Sequence, residues 1–544
     1  MRFWPRAAYP AAVVFETLTT GIDGLDAILG GGIRYPKDTA AFLFINGGPG
    51  TGKTLLALEM IVRAWLEAED GTTCLYYSVE QMPLDLARKL ASDFDWYGYA
   101  QRVRIRELEQ EVPHKLCLEA ETARGRTRLV LTQANPAALD ERAAPGTVID
   151  VDWILAEIGN YRLAGRVKMA CIDNIGLLLS DLDYFAKRTT LIATRRRLMG
   201  GGIHGIFVQE DCEPRSLKLP TAEEFSTDVL LRLDFAEEGN GFKARSIEIL
   251  KARHQYYYRG RHHYSIAGRD VQRDIYLGAR NERGPGVHIY PSVAAQLSIT
   301  RDRAGFHVPR RGDVPIDLGH PAFQAPFLSG TGPAARSSSV LLAEPGTRYT
   351  FLALRFLAAS MPAGERALLV STKEDRDALQ RICGRESSLR DTALTEQGRF
   401  HPAFRVLYLH PEFISSGKFT WDIIRMAEGG HSGGERAPVT RLAFDNIYRL
   451  GDRFPLIRED RFLVPALVDL LTYRGVTSFF VDLVPPGAAK GRTDFDPAYY
   501  MTTFDNVFHL YLEDDEAHTP RLRVLKSTAN DFARKPVGVD YRSP

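Results

Sequence analysis

Ala41-Phe42-Leu43-Phe44-Ile45, followed by Gly47-Gly48-Pro49-Gly50-Thr51-Gly52-Lys53-Thr54, decides how this 544-residue chain is read. The first run is an unbroken apolar stretch of the kind that forms a parallel strand buried on both faces. The second fills every position of G-x-x-x-x-G-K-[ST], and the residues from Leu55 to Leu66 read as a helix. Glycines let a loop turn its backbone N–H groups toward phosphate oxygens, and the helix presents its positive N-terminal end to the same anion. The phosphate-binding set is therefore Gly48, Pro49, Gly50, Thr51, Gly52, Lys53, Thr54 and Leu55. Lys53 is expected to reach the β- and γ-phosphates of ATP, and the Thr54 hydroxyl to hold Mg²⁺.

A loop of this kind needs a carboxylate on the metal side, at the end of a second buried strand. Arg166-Val167-Lys168-Met169-Ala170-Cys171-Ile172-Asp173 supplies it, with Asp173 expected to meet the metal through its water shell. A strand end also favours a turn-forming Asp for purely local reasons. Between the two motifs, Cys74 to Gln81 reads as a strand running out into Glu80. Glu80 is a candidate general base that positions the attacking water. It is otherwise an N-cap or first-turn acid of a helix expected over Leu84 to Ser92.

These pieces resemble the KaiC family of RecA-like ATPases. The resemblance rests on Thr20-Gly21-Ile22-Asp23-Gly24-Leu25-Asp26, Gly30-Gly31-Gly32-Ile33, the phosphate loop, Val79-Glu80-Gln81 and Asp173. It continues with Ala222-Glu223-Glu224-Phe225, Asp228-Val229-Leu230 and Ile249-Leu250-Lys251-Ala252-Arg253, over about residues 16 to 268. The family carries an acidic pair where this chain has Glu80 and Gln81. The resemblance implies that Lys251 and Arg253 reach the γ-phosphate bound by a neighbouring subunit, which implies a homo-oligomeric ring, hexameric by analogy. Two-residue spacing on a strand puts both side chains on one face, and such cations stabilise charge on a transferring phosphoryl group. An ordinary polar strand face is the plainer alternative.

The chain then repeats itself. Ala343 through Leu354 aligns without gaps to Gly47 through Leu58, and Val439 through Ile447 mirrors Val167 through Ile175. Ala367 to Lys373 parallels the strand ending at Glu80, and Val524 to Thr528 parallels Ile249 to Arg253. In this second copy Tyr349 replaces Lys53, Arg348 replaces Gly52, Lys373 replaces Glu80 and Thr528 replaces Arg253. Thr350 and Asp445 persist, so weak nucleotide binding stays open, with Arg348 as a substitute cation. The copy reads as a pseudo-ATPase. Autophosphorylation, which the resemblance associates with the second domain of relatives, is not expected without a lysine at 349.

The expected fold is α/β: two tandem RecA-like P-loop domains, each a mostly parallel sheet flanked by helices. Their bounds are set at 16–282 and 339–544. An N-terminal extension covers 1–15, and a Gly/Pro/Ser-rich linker covers 283–338. A formal net charge of +1, with 25% charged and 44% hydrophobic residues, gives no global field toward nucleic acid or membrane. Five scattered cysteines without C-x-x-C spacing fit a reducing compartment, and the expected location is cytoplasmic. Arg195-Arg196-Arg197 reads as a solvated helix face or a nucleic-acid contact. The stretch from Arg253 to His263 mixes cations and aromatics, as subunit interfaces and single-strand binders both do. His262 and His263 should face opposite ways on a strand. The C-terminal copy is the expected place for a protein partner to dock; DNA is the alternative partner.

Overall fold

The computed structural model describes residues 13–94, 104–108, 114–134, 150–210, 227–238, 242–268, 273–274, 279–280, 285–304, 314–328, 332–360, 364–409, 414–429, 438–448, 450, 461–486, 497–513 and 518–542. The chain divides into two compact units. One comprises Met1–Glu237, Lys243–Gln272 and Gly284–Pro291; the other comprises Ser292–Pro544 with the short segments Glu238–Phe242 and Arg273–Arg283.

The strands, in chain order, begin with a small antiparallel pair, β1 (Phe15–Leu18) and β2 (Ile33–Pro36). They continue with β3 (Phe42–Gly47), β4 (Thr72–Ser78), β5 (Arg104–Leu108), β6 (Lys115–Thr122), β7 (Gly125–Gln133), β8 (Arg166–Asp173) and β9 (His204–Glu210). Then come β10 (Val229–Glu238), β11 (Phe242–Ala252), β12 (Arg261–Ala267), the short pair β13 (Arg273–Asp274) and β14 (Ala279–Arg280), and β15 (Gly286–Tyr290). The main sheet runs in the order β15-β12-β11-β10-β3-β9-β8-β4-β7-β6-β5. Its six central strands, β10 to β7 in that order, are parallel, while β6 and β5 close one edge antiparallel and β12 and β15 the other.

Alternation along β3 explains its apolar run. Leu43 and Ile45 face the helix Lys53–Leu66, packing with Leu56, Met60 and Trp65. Phe42 and Phe44 face the other side, against Ile154 and Ile158 of the helix Val151–Ala164 and Leu198 of the helix Tyr184–Met199. At about 1.5–3 kcal/mol for each fully buried Phe, Leu or Ile, these four side chains outweigh any single polar contact at the ends of the strand.

The second unit repeats the plan with β16 (Ser338–Ala343), β17 (Ala367–Ser371), β18 (Phe404–Tyr408), β19 (Arg441–Asp445), β20 (Thr477–Leu483), β21 (Asn506–Leu512), β22 (Pro520–Ser527) and β23 (Val537–Gly538). Its order, β18-β17-β19-β20-β16-β21-β22-β23, is that of β7-β4-β8-β9-β3-β10-β11-β12. The strands from β18 to β21 are parallel, and β22 and β23 are antiparallel. The expected fold class is met in both copies. The stretch 283–338 is more ordered than its Gly, Pro and Ser content suggests. It holds β15, the helix Pro321–Gln324 and the helix Val293–Ala304, whose Val293 and Leu297 join the core of the second unit. Ala222–Phe225 and Cys212 lie outside the described residues. Cys74, Cys171 and Cys383 are buried, and burial pushes the Cys74 thiol up to about 12. Among the described residues no helix is long and apolar enough to cross a membrane.

One hydrogen-bond set recurs in both copies. Asp228 Oδ2 accepts from the Phe42 amide at 3.1 Å, the Asp228 amide donates to Phe42 O at 3.0 Å, and the Arg253 amide donates to Asp228 O at 2.7 Å. In the second unit Asp505 takes the same place: Ser338 N donates to Oδ2, Asp505 N to Ser338 O, and Thr528 N to Asp505 O. Arg195 adds an ion pair of 2.6 Å to the buried Asp228, so part of the expected solvated arginine face is structural. Breaking a buried pair costs about 3–5 kcal/mol, and loss of ordinary hydrogen bonds about 1–2 kcal/mol. Native-state hydrogen exchange should therefore show Asp228→Ala lowering the opening free energy of β3 by about 3–5 kcal/mol. Asp505→Ala, at a half-buried position, should lower that of β16 by about 1–2 kcal/mol through loss of its hydrogen bonds to Ser338.

Candidate active site

The carboxyl ends of β3, β4, β8 and β9 line up at one edge of the parallel sheet, where ligands of open α/β sheets bind. Ser78 lies opposite Asp173, Asp173 opposite Val208, and Gly47 opposite Glu210. The loop leaves β3 and enters the helix Lys53–Leu66 through Gly52 in the left-handed region, φ 90°. A Cβ there would fall 2.5 Å from Ile266 Cδ1, and one at Gly47 would fall 2.4 Å from Leu233 O, so both positions require glycine. Thr51 Oγ1 donates to Gly48 O at 2.8 Å, and the Tyr264 hydroxyl donates to Thr51 O, which fixes the turn from inside. Lys53 Nζ donates to Gly48 O at 2.9 Å. That bond curls the lysine over the loop whose amides would surround phosphate.

Asp173 is buried, its Oδ2 accepts from the Tyr76 hydroxyl at 2.7 Å, and its carboxylate also meets the Thr54 hydroxyl. Burial raises its pKa against the opposing pull of Tyr76, Thr54, Lys53 and Lys89. A sunken carboxylate beside a hydroxyl, with open space over the Cβ direction of Gly50, is an all-oxygen set that fits Mg²⁺ on a polyphosphate. Thr54 and Asp173 would hold the ion, and Gly48 to Leu55 the phosphates.

Glu80 is exposed just beyond β4. The following helix runs Pro83–Arg88 with Asp85 as its first-turn acid, so Glu80 precedes the helix and does not serve its first turn. A π-helical turn, Lys89–Asp93, completes the segment expected as a helix to Ser92. Gln81 anchors its amide on Ser78 Oγ at 2.9 Å, and its side-chain Oε1 accepts from Lys89 Nζ at 2.6 Å. Sequence reasoning passed over Tyr76 and Lys89, and also Asn46 and Gln209. Asn46 and Gln209 pair across β3 and β9 beside the loop, and their side-chain oxygens are buried without a hydrogen-bond partner among the described residues. Only their position at strand ends could have signalled them.

Lys251 and Arg253 are not brought to this site within one copy. The Arg253–Asp228–Phe42 bonds put Arg253 at the start of β3, whereas Lys53 follows its end. Six residues of strand separate the two, roughly 15–20 Å. The basic-aromatic stretch after Arg253 is engaged inside the unit in part, while His254, Tyr256, Arg259 and Arg261 are exposed. Gln255 Nε2 donates to Leu29 O and Gly32 O, Tyr258 N donates to Ile28 O, and His262 Nε2 meets Tyr258 O at 2.9 Å. His262 is buried and burial lowers its pKa to about 4, while His263 on the opposite strand face is half-buried.

The second copy keeps the frame without the cations. Arg348 takes the left-handed place of Gly52, φ 46°. Its guanidinium pairs with Glu386 at 2.6 Å and lies over the rings of Phe351 and Tyr541, 4.9 and 5.2 Å from their centroids. The Tyr541 hydroxyl donates to Thr347 O, as Tyr264 does to Thr51 O. Thr350 faces Asp445, whose pKa rises to about 6 through burial and then the nearby Glu374. Lys373, in the place of Glu80, pairs with Glu374 at 2.9 Å. Lys526, the counterpart of Lys251, donates to Met501 O and Phe504 O.

Comparison with known proteins fits this geometry. A family model described as "ATPase: KaiC" matches residues 18–272. A UPF0273 protein of Methanopyrus kandleri is 27% identical over 270 residues, 49% of this chain and 96% of that protein. The circadian clock oscillator protein KaiC of Parasynechococcus marenigrum is 23% identical over 381 residues, 70% of this chain and 62% of that protein. The circadian clock protein KaiC3 of Synechocystis is 24% identical over 370 residues, 67% of this chain and 61% of that protein. The chain thus spans about three fifths of these two clock proteins. With its glycine-lined loop, its lysine and its buried carboxylate at one sheet edge, the N-terminal copy is similar over residues 18–272 to the KaiC-like family of RecA-type P-loop ATPases.

Proposed function

We propose that the N-terminal copy hydrolyses ATP with Mg²⁺ at a site shared between subunits of a homo-oligomeric ring, hexameric by analogy, and that hydrolysis drives a regulatory or signalling assembly. The observation that carries this reading is the separation of Lys53 from Lys251 and Arg253 by the length of β3. One copy supplies the cradle at one sheet end and offers the cations at the other, so a head-to-tail neighbour is needed to join them. Lys53 and the loop amides hold the β- and γ-phosphates. Thr54 and Asp173 orient the metal, which when bound neutralises charge on the phosphates. Glu80, exposed at the end of β4, takes the proton of the attacking water as its oxygen bonds to the γ-phosphorus and the bond to ADP breaks. Lys251 and Arg253 of the neighbour offset charge on the transferring group.

The second copy is read as a pseudo-ATPase that serves assembly or docks a protein partner. Its Arg348 charge is spent on Glu386, and Lys373 is paired with Glu374. A DNA-handling motor is the less favoured reading, since the formal net charge of +1 gives no overall field toward nucleic acid.

Mixing two inactive variants tests the shared site. Lys53→Ala and Arg253→Ala should each lose ATPase activity by roughly 100-fold or more. Assemblies mixed from both should regain a measurable part of it, because some interfaces then join an intact Lys53 to an intact Arg253. A monomer by mass that hydrolyses at full rate, or no recovery on mixing, contradicts the reading. In the same phosphate-release assay, Thr350→Ala with Asp445→Asn should leave the rate within about twofold of wild type, and added DNA should not change it.

A further inference from the structure

We propose that Lys89 is a second cation of the N-terminal site, contributed within the same copy, that contacts the terminal phosphate and sets the preference for ATP over ADP. The inference rests on the ATP site placed at Lys53 and adds a residue to it. Lys89 opens the π-helical turn Lys89–Asp93, where the helix Pro83–Arg88 widens. Such turns frequently mark functional sites, because the extra residue re-aims a side chain.

Three links tie its ammonium to the site. Nζ donates to Gln81 Oε1 at 2.6 Å, the Gln81 amide is fixed on Ser78 Oγ at 2.9 Å, and Ser78 sits directly across from Asp173. The Lys89 charge reaches the Asp173 carboxylate, as does that of Lys53. The ammonium therefore lies toward the Asp173 and Thr54 side, where the terminal phosphate and its metal belong.

Its tether is a neutral amide, so the charge stays available for a phosphate oxygen. A carboxylate at 81 would cancel it; Gln81 orients it without neutralising it. The second copy makes the contrast. Glu374 occupies the place of Gln81 there, with its amide on the equivalent Ser371 Oγ at 3.1 Å, and it takes the nearby cation Lys373 into an ion pair. ADP ends one phosphate short, so a contact of this kind adds affinity for the triphosphate alone.

The test measures binding by the full-length chain, with Mg²⁺, of ADP and of an ATP analogue with a non-hydrolysable β–γ bridge. Lys89→Met should weaken the analogue roughly 10- to 100-fold, the range of a lost charge-assisted phosphate contact. ADP affinity should stay within about twofold, and Lys89→Arg should restore most of the analogue affinity. Equal weakening of both nucleotides would mean that Lys89 only shapes the turn, and no change in either would mean that it does not reach the ligand; both overturn the proposal. Lys53→Ala in parallel separates the two readings. If it binds both nucleotides like wild type, the site itself is misplaced. If it weakens both while Lys89→Met weakens neither, only the present inference falls.

Discussion

The backbone bonds of Asp228 constrain everything else in the N-terminal copy. One residue holds the first amide of β3, the guanidinium of Arg195 and, through its own carbonyl, the amide of Arg253. It thereby fixes where the phosphate-loop strand starts and where the Lys251–Arg253 segment ends, on the same edge of the sheet. The phosphate loop must then emerge a full strand away. A sheet of parallel strands has two chemically different ends, and this chain puts half of its candidate machinery on each. In the proposed reading, self-association is the way to bring the halves together, rather than an added property.

The two copies separate framework from chemistry. Asp505 repeats the bonds of Asp228, Tyr541 repeats that of Tyr264, and the strand order is the same. These interactions are between backbone groups, or between a side chain and backbone, so they survive when the residues facing the ligand change. Among the changes on the ligand side, at the loop and the strand ends, are Arg348, Tyr349, Lys373, Glu374 and Thr528. A fold whose core is two continuous apolar faces tolerates such exchanges, because none of them removes buried apolar area.

Much of this was legible in the sequence, for physical reasons that differ by element. β3 could be read because burial on both faces demands an unbroken apolar run, and β8, apolar apart from Arg166, Lys168 and its closing Asp173, spans the expected Arg166–Asp173. Lys53, Thr54 and Asp173 converge because a phosphate loop allows few spacings. The π-helical turn at Lys89 could not be read, since one extra residue in a helix leaves no mark in apolar periodicity. Tyr76 looked like any core aromatic, although its hydroxyl is a ligand of Asp173. The Gly, Pro and Ser residues of 283–338 suggested a linker, yet its Gly and Pro residues sit around the helix Val293–Ala304 rather than within it. Arg348 posed an ambiguity of direction: sequence could not say whether the guanidinium faced the phosphates or turned away.

It turns away, and that makes the loss at the second loop hard to reverse. The left-handed backbone at Arg348 sends its side chain to where Ile266 crowds Gly52 in the first copy, and Glu386, Phe351 and Tyr541 have closed around it. Returning a lysine to 349 would add a charge but leave Arg348 stacked and paired beside it, and Lys373 still in the place of Glu80. Returning glycine to 348 would strand Glu386 and uncover two aromatic rings. Each single step back meets its own penalty, which fits the structural role proposed for the second copy, much as a keystone stays put once the scaffolding is gone.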